Sequence, residues 1–309
     1  MKNRAIILLI FFCYACTQRE SGNKVKKERK VTYRQVPTPG YQLEKPIGKP
    51  NAVLILFGGY PEVAEDIKRE FQILDKAKEN EIAVVFSNYN KTLWFEANEL
   101  NDLAKKLRKI FTDHLLPNDH VFFGGFSSGG IVALLLSDYL IKNQEIGLVP
   151  KGIFIVDTPV DLTHLYISSE KKLNGSFSEP SLLESMWLVD VLGNRFGNPH
   201  EDISEYEKHS VFILKTGRIS NIENLKKTKI RMYTEPDTLW WKENSMADYE
   251  QMNAYAIKKL SEKLKGSGFS NVEYIPTKNR GYRANGQRHP HSWSIVEIND
   301  LIKWLLDSA

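Results

Sequence analysis

The sequence contains very little cysteine. Only 2 of its 309 residues are cysteines, and both, Cys13 and Cys16, lie within the first sixteen positions. A disulfide framework and a cysteine nucleophile are therefore excluded for the chain beyond Cys16.

A strong charge of either sign is also missing. The chain has 42 basic and 38 acidic residues, a formal net charge of +4, which is too small an excess to predict a nucleic-acid partner. Internal repeats are absent. The glycine pairs Gly124-Gly125 and Gly129-Gly130 match neither the G-x-G-x-x-G spacing nor a P-loop, which needs a following lysine. The sequence therefore predicts no nucleotide cofactor.

Long hydrophobic runs are absent, but a short one lies near the start of the chain. Residues 5–15 are apolar over eleven positions, whereas a membrane-spanning helix needs about 20. Because Lys2 and Arg4 precede this run, the pattern is typical of a signal peptide and predicts export.

The pair Ala15-Cys16 resembles the cleavage site of a bacterial lipoprotein signal. This resemblance implies a signal peptide at residues 1–16, a lipid on Cys16 and a protein anchored to a membrane of the cell envelope. Cys13 and Tyr14 stand where such sites usually have a leucine and a small residue, so an ordinary signal peptide cut nearby is the alternative.

The rest of the chain divides into a polar segment and one large domain. Residues 17–30 are polar and charged without an apolar period, which predicts a flexible tether. Residues 31–309 alternate apolar runs with amphipathic stretches, as in an α/β fold with a mostly parallel sheet flanked by helices. The alternation breaks at about residues 161–224, where we expect a cap or lid insertion of short helices.

The apolar and amphipathic patterns give approximate element bounds. Strands are predicted at residues 53–57, 82–87, 120–124, 152–156, 229–233 and 272–276, with one or two edge strands within 31–50. Helices are predicted at residues 62–80, 96–116, 128–141, 247–265 and 294–306.

One motif combines a candidate nucleophile with the setting that it needs. Residues 125–129 read Gly-Phe-Ser-Ser-Gly and match G-x-S-x-G, directly between a predicted strand and a predicted helix. A nucleophile elbow requires this context, because its tight turn exposes the serine hydroxyl and tolerates only small neighbours. Ser127 is therefore the candidate nucleophile. The alternative is a glycine-rich turn with a capping serine.

A serine nucleophile needs a base to remove its proton. His291 directly precedes the last predicted helix and is preferred over His289, which could instead shape the loop. The two histidines could also form part of a metal site, but the sequence offers no third and fourth ligand at suitable spacing. The run His200-Glu201-Asp202 follows Pro199 in a predicted loop and is interpreted as solvated, so no metal site is predicted.

The third member of a triad is an acid that orients the histidine. Asp237 follows the strand predicted at residues 229–233 and is preferred, with a helix N-cap as its alternative role. Three rivals remain open: Asp157, Asp161 and Glu235.

An acyl-transfer site also needs donors to the developing oxyanion. The loop after the strand at residues 53–57 begins Gly58-Gly59-Tyr60, where glycine lets the backbone approach a substrate oxygen. The N–H of Gly59 or Tyr60 would join that of Ser128. Phe57 stands where a histidine commonly begins this loop.

Together these residues resemble the α/β-hydrolase superfamily over roughly residues 50–309. The resemblance implies acyl transfer: Ser127 attacks a carbonyl, His291 shuttles the proton, and Asp237 holds the imidazole. It implies no cofactor. The predicted function is that of an exported serine hydrolase that cleaves a carboxylic ester or related acyl bond of a small-molecule or acyl substrate. A peptidase or acyltransferase on the same triad, and a ligand-binding protein that no longer turns over, are the alternatives.

Overall fold

The computed structural model describes residues 31–89, 93–175 and 178–307. The predicted signal peptide at residues 1–16, its lipidated Cys16 and the tether at residues 17–30 lie outside the described residues, so these remain predictions.

A single eight-stranded sheet forms the centre of the domain. Its strands are β1 (Tyr33–Pro37), β2 (Tyr41–Pro46), β3 (Ala52–Phe57), β4 (Ile82–Ser87), β5 (Val121–Phe126), β6 (Gly152–Val156), β7 (Lys229–Thr234) and β8 (Val272–Pro276). They lie in the order β1-β2-β4-β3-β5-β6-β7-β8. Strand β2 pairs antiparallel with both β1 and β4, and every other pairing is parallel. The predicted mostly parallel α/β sheet is confirmed.

The inner strands are apolar because both of their faces are covered. Every residue of β3, β4, β5 and β6 is buried, as expected for parallel strands between two layers of helices. These near-continuous apolar runs are what made the strands predictable from sequence.

Ten helices of the described chain surround the sheet. They are α1 (Ala64–Phe71), α2 (Leu74–Glu79), α3 (Glu99–Asp113), α4 (Ser128–Lys142), α5 (Leu162–Leu173), α6 (Glu179–Phe196), α7 (Ser204–His209), α8 (Thr238–Ser245), α9 (Asn253–Gly266) and α10 (Ile298–Leu306). Helices α3, α4 and α9 pack in the apolar core on one face of the sheet. Helices α1, α2 and α10 pack in the core on the other face.

Three predicted helices differ clearly from the observed ones, and the one expected at residues 247–265 begins only at Asn253. The helix expected at residues 62–80 is divided between α1 and α2, because Gln72 adopts a left-handed conformation with φ of 52°. This turn lets Phe71 and Ile73 both be buried, whereas residues two apart on a continuous helix point to different faces. The last helix begins at Ile298 rather than Ser294, since the Glu297 carboxylate caps the backbone N–H groups of the first turn.

The segment predicted to form an insertion contains helices α5, α6 and α7 and a 3-10 segment at Ser220–Lys227. Apolar residues of this segment, including Leu162, Leu192 and Tyr206, pack into the same core as α4. Among all the residues that the structure describes, no helix is both long and apolar enough to cross a membrane.

Candidate active site

Ser127 lies in the turn between β5 and α4. Its φ of 51° and ψ of −126° fall outside the conformations that non-glycine residues favour, so the turn is strained. The backbone N–H of Ser127 donates to the carbonyl of Val156 at the end of β6, at 2.9 Å. The structure therefore has the strand–turn–helix context that the G-x-S-x-G motif requires.

The glycines of the motif are required by close backbone contacts. A Cβ on Gly125 would lie 2.1 Å from the carbonyl oxygen of Gly129, and a Cβ on Gly129 would lie 2.2 Å from the carbonyl oxygen of Phe57. Side chains at these positions would push α4 away from β3 and β5. The need for small residues in the turn was also the reason for which the sequence motif was interpreted as a nucleophile elbow.

His291 lies beside the turn and binds a carboxylate. Its Nδ1 is 2.6 Å from Oδ2 of Asp157, and its ring packs against Phe126 with a centroid separation of 4.5 Å. Asp157 directly follows β6 and is 6% exposed. Because Nδ1 faces the carboxylate, the proton belongs on Nδ1 and Nε2 is left as the free, basic nitrogen.

The backbone of Asp157 is held on both sides. Its N–H donates to the carbonyl of Tyr233 at 2.9 Å, and its own carbonyl accepts from Nδ2 of Asn253 at 2.9 Å. Its φ is 43°, in the left-handed region. These contacts bring the carboxylate to the same edge of the sheet as Ser127.

Asp237 does not hold the imidazole, which corrects the sequence prediction. Its Oδ1 accepts from the backbone N–H of Trp240 at 3.0 Å and so caps α8, while its Oδ2 accepts from Nη2 of Arg288 at 2.6 Å. Both carboxylate oxygens are thus engaged away from His291. The helix N-cap, the alternative weighed for Asp237, is what the structure contains.

The other two rivals are also engaged in structural contacts. Asp161 accepts from the backbone N–H groups of His164 and Leu214 and caps α5. Glu235 is 3% exposed and accepts from the backbone N–H groups of Arg280 and Gly281 at 2.9 and 3.1 Å. Glu235 therefore fixes the loop that carries the histidines.

His289 lies close to His291 but has different surroundings. Its ring packs against Trp240 at a centroid separation of 4.8 Å, and its Nδ1 is buried with no hydrogen-bond partner in the described part of the chain. Burial, followed by the charge of His291, lowers the pKa of His289 to about 3. The geometry therefore gives a carboxylate partner to His291 and none to His289.

Three backbone N–H groups near this turn were predicted to bind an oxyanion, and two of them already donate to side chains. The N–H of Gly59 donates to Oε2 of Glu62 at 3.0 Å, and the N–H of Tyr60 donates to Oγ of Ser128 at 2.9 Å. Ser128 is the first residue of α4, where a backbone N–H has no acceptor within the helix. Of the three predicted donors, the Ser128 N–H is the one most readily offered to a substrate.

Sequence reasoning missed Glu62. Its carboxylate accepts from Nε1 of Trp293 at 3.1 Å as well as from Gly59, and burial raises its pKa. The signal available in the sequence was weak, since an acidic residue three positions after a glycine turn is common on exposed loops.

A cavity of about 680 Å³ lies over the turn. Its walls come from Tyr60 in the loop after β3, from helices α5, α6 and α8, and from the loop at residues 283–291. The lining residues that bear on the chemistry are Tyr60, Ser127, Ser128, Asp157, Lys172, Trp187, Trp240, Arg283, His289 and His291. Residues of the inserted segment thus form one wall of the space above Ser127.

Comparison with solved structures gives the same architecture. A carboxyl esterase 2 from the mycorrhizal fungus Tuber melanosporum is similar over 91% of this chain and 88% of its own, with a TM-score of 0.54 and 15% identity. EstE5, in crystals soaked with p-nitrophenyl butyrate, is similar over 90% and 86%, with a TM-score of 0.56 and 13% identity. An esterase from Rhizomucor miehei is similar over 89% and 82%, with a TM-score of 0.54 and 15% identity. The chain has the α/β-hydrolase fold.

Sequence comparison gives no such match. No protein-family model matches the chain, and no curated protein matches it. The likeness is therefore one of fold, and the arrangement of the site rests on the chain's own residues.

Within the α/β-hydrolase fold the three residues follow the usual chain order. Ser127, the carboxylate of Asp157 and the His291 that it contacts succeed one another along the chain in that order. Ser127 and Asp157 directly follow the carboxyl ends of β5 and β6, and Asp157 lies one strand earlier than the acid that the sequence predicted.

No cluster of three metal-ligating side chains occurs within the described ranges. His200, which the sequence placed beside Glu201 and Asp202, has its Nε2 2.7 Å from the Glu170 carboxylate. That pair is about half exposed on both sides, so it fits a solvated surface contact.

Proposed function

We propose that this chain is a serine esterase that cleaves a carboxylic ester of a small molecule through Ser127, His291 and Asp157. One observation carries the proposal: the imidazole of His291 is bound by a buried carboxylate and lines the same cavity as a serine in a strained strand-to-helix turn. This arrangement supports the roles of nucleophile, base and orienting acid that nucleophilic catalysis needs.

The first step is attack on the ester carbonyl. His291 Nε2 takes the proton of the Ser127 hydroxyl while Oγ bonds to the carbonyl carbon, and the carbonyl oxygen becomes an oxyanion. Asp157 keeps the proton on Nδ1 and stabilises the imidazolium. The imidazolium then gives its proton to the leaving alcohol, and the acyl group remains on Ser127.

Water completes the reaction. His291 takes a proton from water, the resulting hydroxide adds to the acyl carbon, and the Ser127 oxygen leaves with the proton from His291. The products are a carboxylic acid and the free enzyme.

The oxyanion of both tetrahedral intermediates needs at least two donors. The N–H of Ser128 is one. The N–H of Tyr60 is the second if the Ser128 hydroxyl turns away from it, because Ser128 Oγ now accepts that hydrogen bond. A small rotation of one side chain would complete the site.

The direct test is hydrolysis of p-nitrophenyl butyrate by the purified domain. We expect turnover that Ser127→Ala abolishes and that Ser270→Ala, at an exposed serine of the loop before β8, leaves intact. Turnover of peptides or acyl transfer to an alcohol in place of hydrolysis would assign the same triad to a peptidase or an acyltransferase. A folded protein without activity on any acyl substrate would contradict the proposal and favour ligand binding.

We further propose that the enzyme is exported and held on a membrane of the bacterial cell envelope by a lipid on Cys16. The apolar run at residues 5–15, the basic residues before it and the Ala15-Cys16 pair support this.

A further inference from the structure

A lysine lies inside the cavity above the candidate nucleophile. Lys172, in the last turn of α5, lines the space that Ser127 and His291 also line. Its Nζ is 5.8 Å from the centroid of the Trp241 ring. Its neighbour Lys171 instead points outward and binds the Asp248 carboxylate at 3.5 Å.

The Lys172 ammonium has no ionic partner among the residues that the structure describes. Of the two carboxylates that line the cavity, Asp157 is bound to His291. The other, Glu184, occupies an exposed position of α6. Its charge attracts the Lys172 ammonium, but the two groups form no ion pair. Burial lowers the pKa of Lys172, and the two carboxylates offset only part of that effect.

A second cation lines the same space. Arg283, on the loop that leads to His289 and His291, also forms part of the cavity wall, and its guanidinium makes no ion pair in the described ranges. The cavity wall therefore carries two cations that make no ion pair among the described residues, and two carboxylates, Asp157 held by His291 and the exposed Glu184.

Lys172 is half-buried, and an ammonium that is partly removed from water without an anion in contact is destabilised. An anion that enters the cavity recovers that cost and gains a charge-assisted hydrogen bond. The cation–π contact with Trp241 compensates only in part, because a ring face attracts an ammonium less strongly than an anion does. A site with this charge distribution favours a ligand that brings its own negative group.

We infer that the substrate is an ester that also carries a carboxylate, and that Lys172 is the residue that binds this carboxylate. The inference rests on the proposed function, because it assigns a substrate class to the same cavity. The ester is held with its carbonyl at Ser127 and its free carboxylate at the α5 wall. Arg283, on the loop that leads to His289 and His291, adds to the positive field of the cavity.

The first experiment compares matched pairs of charged and neutral esters. Para-acetoxybenzoate and its methyl ester carry the test group on the alcohol side, and phenyl hydrogen adipate and its methyl ester carry it on the acyl side. For each pair we measure kcat/KM of the charged over the neutral ester for the wild type, Lys172→Met and, as the matched control, Lys171→Met.

We expect the wild type and Lys171→Met to prefer the charged ester of at least one pair. In Lys172→Met this ratio should fall by about tenfold or more, as for the loss of a hydrogen-bonded charge partner. Partial loss of folded protein lowers both activities by the same factor, so the ratio isolates the charge effect in any variant that keeps measurable activity. Equal use of both esters by the wild type, or an unchanged ratio in a Lys172→Met protein that unfolds as cooperatively as the wild type, overturns the inference.

The second experiment does not depend on turnover. In the Ser127→Ala background, calorimetry measures the Kd of the same four compounds with and without Lys172→Met. Tighter binding of a charged compound that disappears with Lys172 supports Lys172 as a carboxylate-binding residue even if the protein is no esterase. Hydrolysis of neutral esters without any anion preference in binding overturns the inference and leaves the proposed function standing.

Discussion

At the scale of single residues, the site depends on which carboxylate reaches His291. Asp157 and Asp237 both follow a strand of the same sheet, and both are aspartates with a proline nearby in sequence. The difference arises from Arg288, which draws the Asp237 carboxylate to itself at 2.6 Å, and from the first turn of α8, which Asp237 caps. Asp157 has neither competitor and lies 2.6 Å from the imidazole.

Replacing the two aspartates separately tests this assignment. Asp157→Asn should lower kcat on p-nitrophenyl butyrate by roughly 10³–10⁴-fold, because the amide no longer fixes the productive tautomer of His291. Asp237→Asn, the matched control, should change kcat little while lowering the free energy of unfolding by about 1 kcal/mol or less, because it keeps the cap but loses the charge that pairs with Arg288. Steady-state kinetics measures the effect of each substitution on kcat, and denaturant unfolding measures its effect on stability. The reverse pattern would return the role to Asp237.

His289 predicts a particular dependence of stability on pH. Its pKa in the folded protein is about 3, below the value of about 6.5 for an unfolded histidine. Between these values the unfolded chain binds the extra proton, so His289 makes the folded state less stable as the pH falls from about 6.5 towards 3.

Replacing His289 should remove that contribution. In His289→Gln, the slope of unfolding free energy against pH in this range should be shallower by up to about 1.4 kcal/mol per pH unit. Urea unfolding at several pH values measures the slope, with His200→Gln at the surface as control. Identical slopes for His289→Gln and the wild type would mean that His289 is protonated in the folded protein.

At the scale of elements, the turn between β5 and α4 depends on backbone packing against β3. Gly129→Ala places a Cβ within 2.2 Å of the Phe57 carbonyl oxygen, so we expect a loss of about 1–3 kcal/mol of stability and a displaced Ser127. Gly266→Ala, at the end of α9 with open space around it, should be neutral or slightly stabilising. Thermal unfolding of both variants measures the contrast. Equal stability of the two variants would contradict the close packing.

Much of the element order could be predicted because burial leaves a local pattern. Strands β3 to β6 are buried throughout and almost entirely apolar, with Ser87 of β4 as a polar exception. The G-x-S-x-G motif could be interpreted because its tight turn requires small residues. The division between α1 and α2 could not be predicted, since it depends on where Phe71 and Ile73 meet the core. The sequence named Asp157 only as a rival acid and did not single out Glu62 or Lys172, because the contacts of each are with residues that are distant in sequence.

At the scale of the whole molecule, two features matter for substrate access: the cavity of the described domain and the predicted membrane anchor. The described domain buries two apolar cores, one on each face of the sheet. Its cavity lies between the sheet edge and helices α5 and α6. A lipid on Cys16 would hold this domain at a membrane surface through residues 17–30.

The anchor is tested by replacing its attachment point. Cys16→Ala in the full chain should move the protein from the membrane to the soluble fraction, and Cys13→Ala should not. Immunoblotting of fractionated cells measures the distribution. A wild type found only in the soluble fraction, or unchanged fractionation of Cys16→Ala, would contradict a lipid anchor at this residue.

The central claim is that Ser127 is a nucleophile activated by His291. The most direct measurement is labelling of the full protein with a fluorophosphonate, followed by mass spectrometry of the peptide that carries the adduct. We predict one adduct, on Ser127, that is lost in His291→Ala and retained in His289→Ala. A folded protein that forms no adduct at Ser127, or that still forms it in His291→Ala, would contradict the account.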